Sequence, residues 1–197
     1  MGAKRRATVS RQTKETDVTV TLTLDGSGTT AISTGIGFYD HLLTSLGHHG
    51  VFDIEIQAKG DLEVDEHHTV EDVALVLGTA FAEALGDRAG IRRFGDASVP
   101  MDESLASAVV DVGGRPYAVV DLPFRGDRAG GLPLQLVAHA LEAFARTSGT
   151  TLHVRGTGRN DHHLAEAAFK ALARALRVAC EVDPRRAGVA STKGALG

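Results

Sequence analysis

His67-His68-Thr69-Val70-Glu71 opens a stretch with helical apolar spacing, and His162-His163-Leu164-Ala165-Glu166 opens another half a chain later. Residues four apart share one face of a helix, so His67 can converge with Glu71 on one ion, and His162 with Glu166. The adjacent His68 and His163 point about 100° away and are free to serve a different ion. The repeat reaches further back. Asp40-His41-Leu42-Leu43 precedes the first doublet and Ala138-His139-Ala140-Leu141 the second, with His41 26 residues and His139 23 residues upstream. One single His and one His-His-x-x-Glu group per copy suit two metal ions.

Around these motifs the periodicity predicts the same order of elements twice. Thr16 to Leu24 alternates polar and apolar as a half-buried strand, and a second strand follows over Thr29 to Ser33. Phe38 to Leu46 has helical spacing, Val51 to Ala58 alternates again, and a helix runs from about His68 to Leu85, closed by Gly86. In the second half Ser104 to Val112 and Tyr117 to Leu122 read as strands. Leu134 to Thr147 reads as a helix, Thr151 to Val154 as a strand and His163 to Val178 as a helix. Strands followed by helices packed on one face describe an α+β fold rather than a doubly wound sheet. Two tandem units, residues 1–95 and 96–197, are expected. The stretch from Pro184 to Gly197 has no periodicity and in isolation reads as disordered.

Composition excludes several classes. The 197 residues can bury a substantial core, and a formal net charge of −4 leaves no general nucleic-acid footprint. Lys4-Arg5-Arg6 reads as a solvated terminal cluster. No apolar run approaches the roughly 18 residues of a membrane span and no signal peptide is visible, so a cytoplasmic location and no membrane partner are expected. Cys180 stands alone, which excludes a disulfide framework and a thiolate zinc site; its setting resembles helix packing.

Imidazole and carboxylate donors without thiolate suit Mn, Fe, Co, Ni or Zn, and open positions on a six-coordinate ion make manganese plausible. One symmetric assignment groups His67, Glu71, His41 and His163 around one ion and His162, Glu166, His139 and His68 around the other. Grouping Glu71 with His68, at i+3, is also possible on a helix. Because each doublet sends its histidines apart, both ions are satisfied only if the two halves, or two subunits, interleave. An isolated His on an apolar face is ordinarily a core residue, which is the expectation for His153. His48 and His49 sit in a Gly-flanked turn and read as exposed.

These residues resemble the imidazoleglycerol-phosphate dehydratase family. The pattern appears as Glu15-Thr16, Phe38-Tyr39-Asp40-His41, Asp65-Glu66-His67-His68-Thr69-Val70-Glu71-Asp72, Arg92-Arg93-Phe94-Gly95, Met101-Asp102-Glu103, Gly114-Arg115-Pro116, Asn160-Asp161-His162-His163 and Ser191-Thr192-Lys193-Gly194. The likeness spans about residues 8 to 194. It implies a duplicated fold of the ribosomal protein S5 domain 2-like kind and a hydro-lyase that converts imidazoleglycerol phosphate to imidazoleacetol phosphate in histidine biosynthesis. It further implies two manganese(II) ions per active site and trimers assembled into a 24-subunit shell. The implied metal ligands are His41, His67, His68, Glu71, His139, His162, His163 and Glu166. Implied phosphate contacts are Arg93, Arg115, Ser191 and Lys193, with Glu15 near the substrate's imidazole. Glu15, Glu71 and Glu166 are the candidate catalytic carboxylates. The chain departs from many relatives at Thr44-Ser45-Leu46, where a Gln is common.

Such chemistry needs these residue types. The proton lost on dehydration sits beside a hydroxyl rather than a carbonyl, so the imidazole must supply the activation, and cations on both ring nitrogens would acidify its N–H. Arg93 and Arg115 offer forked donors to phosphate, and Lys193 adds a point charge. Two rival readings remain open on residues alone: a binuclear metallohydrolase of a small phosphorylated substrate, and a non-enzymatic shell bolted together by metal.

Overall fold

The computed structural model describes residues 5–196; Lys4 and Gly197, which belong to the expected terminal cluster and tail, lie outside them. Alternation of Val18, Val20 and Leu22 with threonines turns one face of a strand to the interior, and the chain builds outward from that strand in chain order. β1 (Arg6–Gln12), β2 (Thr16–Thr23) and β3 (Thr30–Ser33) lead to α1 (Gly37–Gly50), then β4 (Asp53–Gly60) and α2 (His67–Leu85). The order returns with β5 (Phe94–Met101), β6 (Ser104–Asp111) and β7 (Tyr117–Asp121). A short hairpin of β8 (Arg128–Ala129) and β9 (Leu132–Pro133) comes next, then α3 (Gln135–Ser148), β10 (Thr151–Thr157) and α4 (Asp161–Cys180). The two four-stranded sheets have matching orders, β1-β2-β4-β3 and β5-β6-β10-β7. In each, three strands are antiparallel and the last, β3 or β7, runs parallel to its neighbour. The fold is the duplicated α+β unit expected from the sequence. The second sheet begins at Phe94, so the division taken between residues 95 and 96 lies inside β5.

The helices lie on the inner faces of the sheets, and they pack across the repeat: α1 against α4, and α2 against α3. Val18, Val20, Ile54 and Ile56 of one sheet and Ala106, Val110, Leu152 and Val154 of the other meet them in one continuous buried cluster. The two units therefore share a core. Burying their small aliphatic side chains supplies the main driving force, at roughly 25 cal/mol per Å² of apolar surface.

Several expectations are corrected. β1 and β5 were not anticipated because both are edge strands: β1 buries only Ala7, and β5 contains Gly95, Asp96 and Pro100, residues tolerated at a sheet edge and poor in the middle. His153 is exposed rather than in the core, because β10 turns Leu152 and Val154 inward and the residue between them outward. His48 and His49 form the last turn of α1, His49 half-buried. Arg5 is not solvated. Its guanidinium pairs with Asp25 at 2.6 Å and donates from Nη1 to the Cys180 carbonyl at 2.8 Å. The segment after α4 is held as well: Ile91 bridges to Val182 and Ala89 to Val189, and Gly90 N donates to the Gly188 carbonyl.

Where α4 crosses β5 the backbones approach so closely that a side chain does not fit. A Cβ on Gly95 would stand 2.1 Å from the Ala175 carbonyl oxygen and 2.8 Å from Ala179 N. Gly95→Ala is expected to lower unfolding stability by about 1–3 kcal/mol, the usual range for overpacking. Denaturant titration of the variant checks this, and an unshifted midpoint would contradict so tight a crossing.

Candidate metal centre

Each doublet is held at a helix start by a nearby side chain, the N-cap Asn160 for α4 and Asp65, one residue before the N-cap, for α2. Asn160 Oδ1 accepts from His162 N at 3.0 Å and His163 N at 3.4 Å, and Asp65 Oδ1 accepts from His67 N at 2.8 Å, satisfying amides that the helix leaves unpaired. His41 sits in the first turns of α1, where Asp40 accepts from the Thr34 amide and hydroxyl. Because α1 lies on α4, His41 Nε2 comes to 3.1 Å from Glu166 Oε2, beside His162 Nε2 at 3.3 Å. Because α2 lies on α3, Glu71 stands 3.9 Å from His67 Nε2 and 3.7 Å from His139 Nε2.

Two three-residue clusters result: His41, His162 and Glu166, and His67, Glu71 and His139. This corrects the symmetric assignment drawn from the sequence. Each single histidine joins the doublet of the other repeat, with none from its own; the grouping of Glu71 with His67 in that assignment is kept, and the alternative with His68 is not the one formed. The physical reason is the crossed helix packing, which periodicity within one segment does not reveal. His68 and His163 join neither cluster, in keeping with their divergence on the helix.

The donor set fits a cation. Within each cluster the ligand atoms lie within 4.8 Å of one another, a spacing that one ion bonded at roughly 2.0–2.2 Å can gather with a small contraction. His139 Nε2 is buried without a hydrogen-bond partner, a state that costs free energy unless something occupies it. Imidazole nitrogen and carboxylate oxygen are the donors that manganese, iron, cobalt, nickel and zinc accept.

The two carboxylates are held ionised by different means. Burial pushes Glu166 up, but Lys170 Nζ at 2.7 Å and His41 outweigh it and bring its pKa to about 2. Burial likewise raises Glu71, and the Arg146 guanidinium at 2.8 Å together with His139 carries it below the usual range. The Phe38 ring lies tilted against the His162 ring, 4.7 Å between centroids, beside that cluster. Beside the other cluster a cleft of about 690 Å³ is lined by His67, Glu66, Phe124, Arg128 and Gln135. A second, of about 330 Å³, is lined by His139, Arg146, Pro116 and Tyr117.

The other expected site residues are placed as follows. Glu15 is exposed in the turn between β1 and β2, with Oε2 3.8 Å from His68 Nδ1. Arg115, exposed, directly precedes the Pro116 that lines the smaller cleft. Arg93 is engaged within the protein: Nε and Nη2 donate to Asp111 at 2.7 and 2.8 Å, and Nη1 donates to the Ala190 carbonyl at 2.6 Å. Its backbone has φ 75°, a conformation that costs a non-glycine residue on the order of 1–3 kcal/mol. Arg93 N bonded to the Ala179 carbonyl and Val112 N bonded to the Arg93 carbonyl hold it there. Ser191 follows Ala190 directly and Lys193 two residues later, so Arg93 fixes where that stretch starts. Ser45 is buried on α1.

Reading the sequence missed Lys170, Arg146, Asp111 and Asp61. Lys170 was detectable, since it lies four residues after Glu166 on one helix face. Arg146 and Asp111 reach their partners only through tertiary packing, and Asp61 through the path of the loop that joins β4 to α2.

A duplicated α+β chain with two crossed His and Glu clusters that could each hold a cation is a metalloenzyme-like arrangement. A family model described as imidazoleglycerol-phosphate dehydratase matches residues 34–176. The dehydratase of Gluconacetobacter diazotrophicus is 54% identical over 198 residues, covering all of both chains. That of Methanoculleus marisnigri is 53% identical, covering 98% of this chain and all of its own. Among solved structures, the dehydratase of Pyrococcus furiosus superposes with a TM-score of 0.83 at 38% identity over 95% of this chain and all of that one. The Staphylococcus aureus enzyme gives 0.82 at 32% identity over 90% and 99%. The chain belongs to the imidazoleglycerol-phosphate dehydratase family, hydro-lyases of histidine biosynthesis.

Removing the Arg93 side chain frees the Ala190 carbonyl and leaves the Asp111 carboxylate unpaired. A hydrogen bond to a charged group contributes roughly 1.5–3 kcal/mol. Arg93→Ala should therefore open the 182–193 segment at least about tenfold more often. Limited trypsin cleavage at Arg185 and Arg186, followed by mass spectrometry, reads this out; an unchanged cleavage rate would mean that the segment is held elsewhere.

Proposed function

We propose that the two clusters each hold a divalent transition ion, manganese(II) by preference, and that the pair recognises the imidazole ring of imidazoleglycerol phosphate. The observation that carries this reading is the pairing of two three-donor clusters with a buried His139 Nε2 that makes no hydrogen bond. When bound, the ions would withdraw density from the ring and acidify its N–H. The chain's residues do the remainder. His41, His162 and Glu166 form one ligand set and His67, Glu71 and His139 the other, while His68 and His163 complete sets on neighbouring copies. On this reading the protein works as a homo-oligomer, the 24-subunit shell of trimers, in the cytoplasm.

Glu15, exposed and within 3.8 Å of His68, is placed to take or return a proton at the carbon skeleton beside the ring. Glu71 and Glu166 act as ligands whose charge is already set by Arg146 and Lys170. Arg115 and Lys193, without ion-pair partners among the described residues, supply phosphate contacts with the Ser191 hydroxyl. Arg93 places the segment that brings Ser191 and Lys193 over the substrate, where closure excludes water.

A binuclear hydrolase is disfavoured because no carboxylate belongs to both clusters: Glu71 is confined to one and Glu166 to the other. The purified chain should release imidazoleacetol phosphate without free phosphate. Release of phosphate from imidazoleglycerol phosphate would favour the hydrolase.

Chelation should remove the dehydratase activity, manganese should restore it, and elemental analysis should find two ions per chain. Lys193→Ala should raise KM for imidazoleglycerol phosphate about tenfold or more, the weight of one charged hydrogen bond, while metal content stays at two. Equal loss of both would refute that division of roles. Loss of assembly on chelation, with activity retained in the separated chains, would support a purely structural use of metal.

A further inference from the structure

His68 and His163 occupy matching positions in the two repeats, and both have their Nδ1 engaged by a carboxylate. His68 Nδ1 lies 3.0 Å from Asp61 Oδ2, and His163 Nδ1 lies 3.0 Å from Glu103 Oε2. The carboxylates are not counterparts. Asp61 follows Gly60 at the end of β4, and the matching residue, after Gly158 beyond β10, is Arg159, whose side chain has no acceptor. Glu103 belongs to the turn joining β5 to β6, and the matching turn, between β1 and β2, carries Glu15. The repeats thus meet one requirement, an acceptor at Nδ1, with residues from different places.

A carboxylate is an acceptor only, so Nδ1 of each ring carries the proton and Nε2 keeps its lone pair. That is how a second carboxylate orients an imidazole for a cation. The consequences for the two turns differ. Glu103 also accepts from Arg159 N at 2.8 Å, Asn160 N at 2.7 Å and Ser104 Oγ at 3.0 Å, which leaves it no capacity for proton transfer. Glu15 has no hydrogen bond from its side chain to the ring, because Asp61 already holds His68 and Glu15 stands off at 3.8 Å.

We infer that Asp61 and Glu103 are positioning residues that present Nε2 of His68 and His163 as metal donors, and that Asp61, by taking over His68, releases Glu15 for chemistry while its counterpart Glu103 stays locked. The inference rests on the reading that His68 and His163 are ligands, and the closing experiment separates the two.

The test uses the full-length chain stripped of metal and titrated with Co²⁺, whose visible spectrum reports both affinity and coordination. Loss of a carboxylate behind a metal-bound imidazole lowers metal affinity about 10–100-fold, and this is expected for Asp61→Ala. Asp61→Asn keeps a carbonyl acceptor and should recover most of that loss. Glu15→Gln should leave affinity and spectrum unchanged although it removes turnover. In the second repeat Glu103→Ala should lower affinity by a similar factor and Glu103→Gln, which keeps a carbonyl acceptor, should recover most of it; apo-state melting confirms that each variant folds, because Glu103 also holds the approach to α4. Unchanged affinity in Asp61→Ala, or a loss in Glu15→Gln as large as that in Asp61→Ala, overturns the inference while leaving the metal reading intact. Unchanged affinity in His68→Ala overturns both.

Discussion

The crossed packing of helices, α1 on α4 and α2 on α3, is the constraint on which the site depends. A sheet with helices on one face must bury those helices against something, and here each unit uses the helices of the other. That contact closes the core without a second layer of sheet between the units. It also carries His41 from the first unit to a doublet in the second, and His139 from the second to a doublet in the first. Folding and ligand assembly are the same event in this chain: a half that folded alone would bring no cluster together.

Electrostatics then distinguishes the two clusters that symmetry would make alike. Glu166 is braced by Lys170, one turn along the same helix, whereas Glu71 is braced by Arg146 reaching over from α3. Both cations offset a burial penalty that would otherwise push the carboxylate toward its neutral form. Each leaves the glutamate charged at neutral pH, with no bound cation needed to ionise it.

Much of this was legible in the residues, for identifiable reasons. The doublets and their glutamates declare themselves because i and i+4 is a local relation, and the strands around Val20 and Val154 because alternation is local too. The single histidines declare themselves only through the repeat, and their partners not at all, since His41 meets Glu166 across 125 positions of chain through a tertiary contact. The edge strands β1 and β5 were hidden by polar or turn-forming residues that an edge tolerates. His153 was misjudged because its apolar neighbours face the other way. Asp61 and Glu103 resisted a reading from spacing: one precedes its imidazole by 7 residues and the other by 60.

The Lys170 and Arg146 braces have a meaning beyond the charge they carry. Two identical single units related by a two-fold axis would be obliged to build two identical pockets, since every change on one side would be copied on the other. Joining the units in one polypeptide lifts that obligation. A bound molecule whose two donor atoms are unlike can then be met by two sites that have been tuned apart.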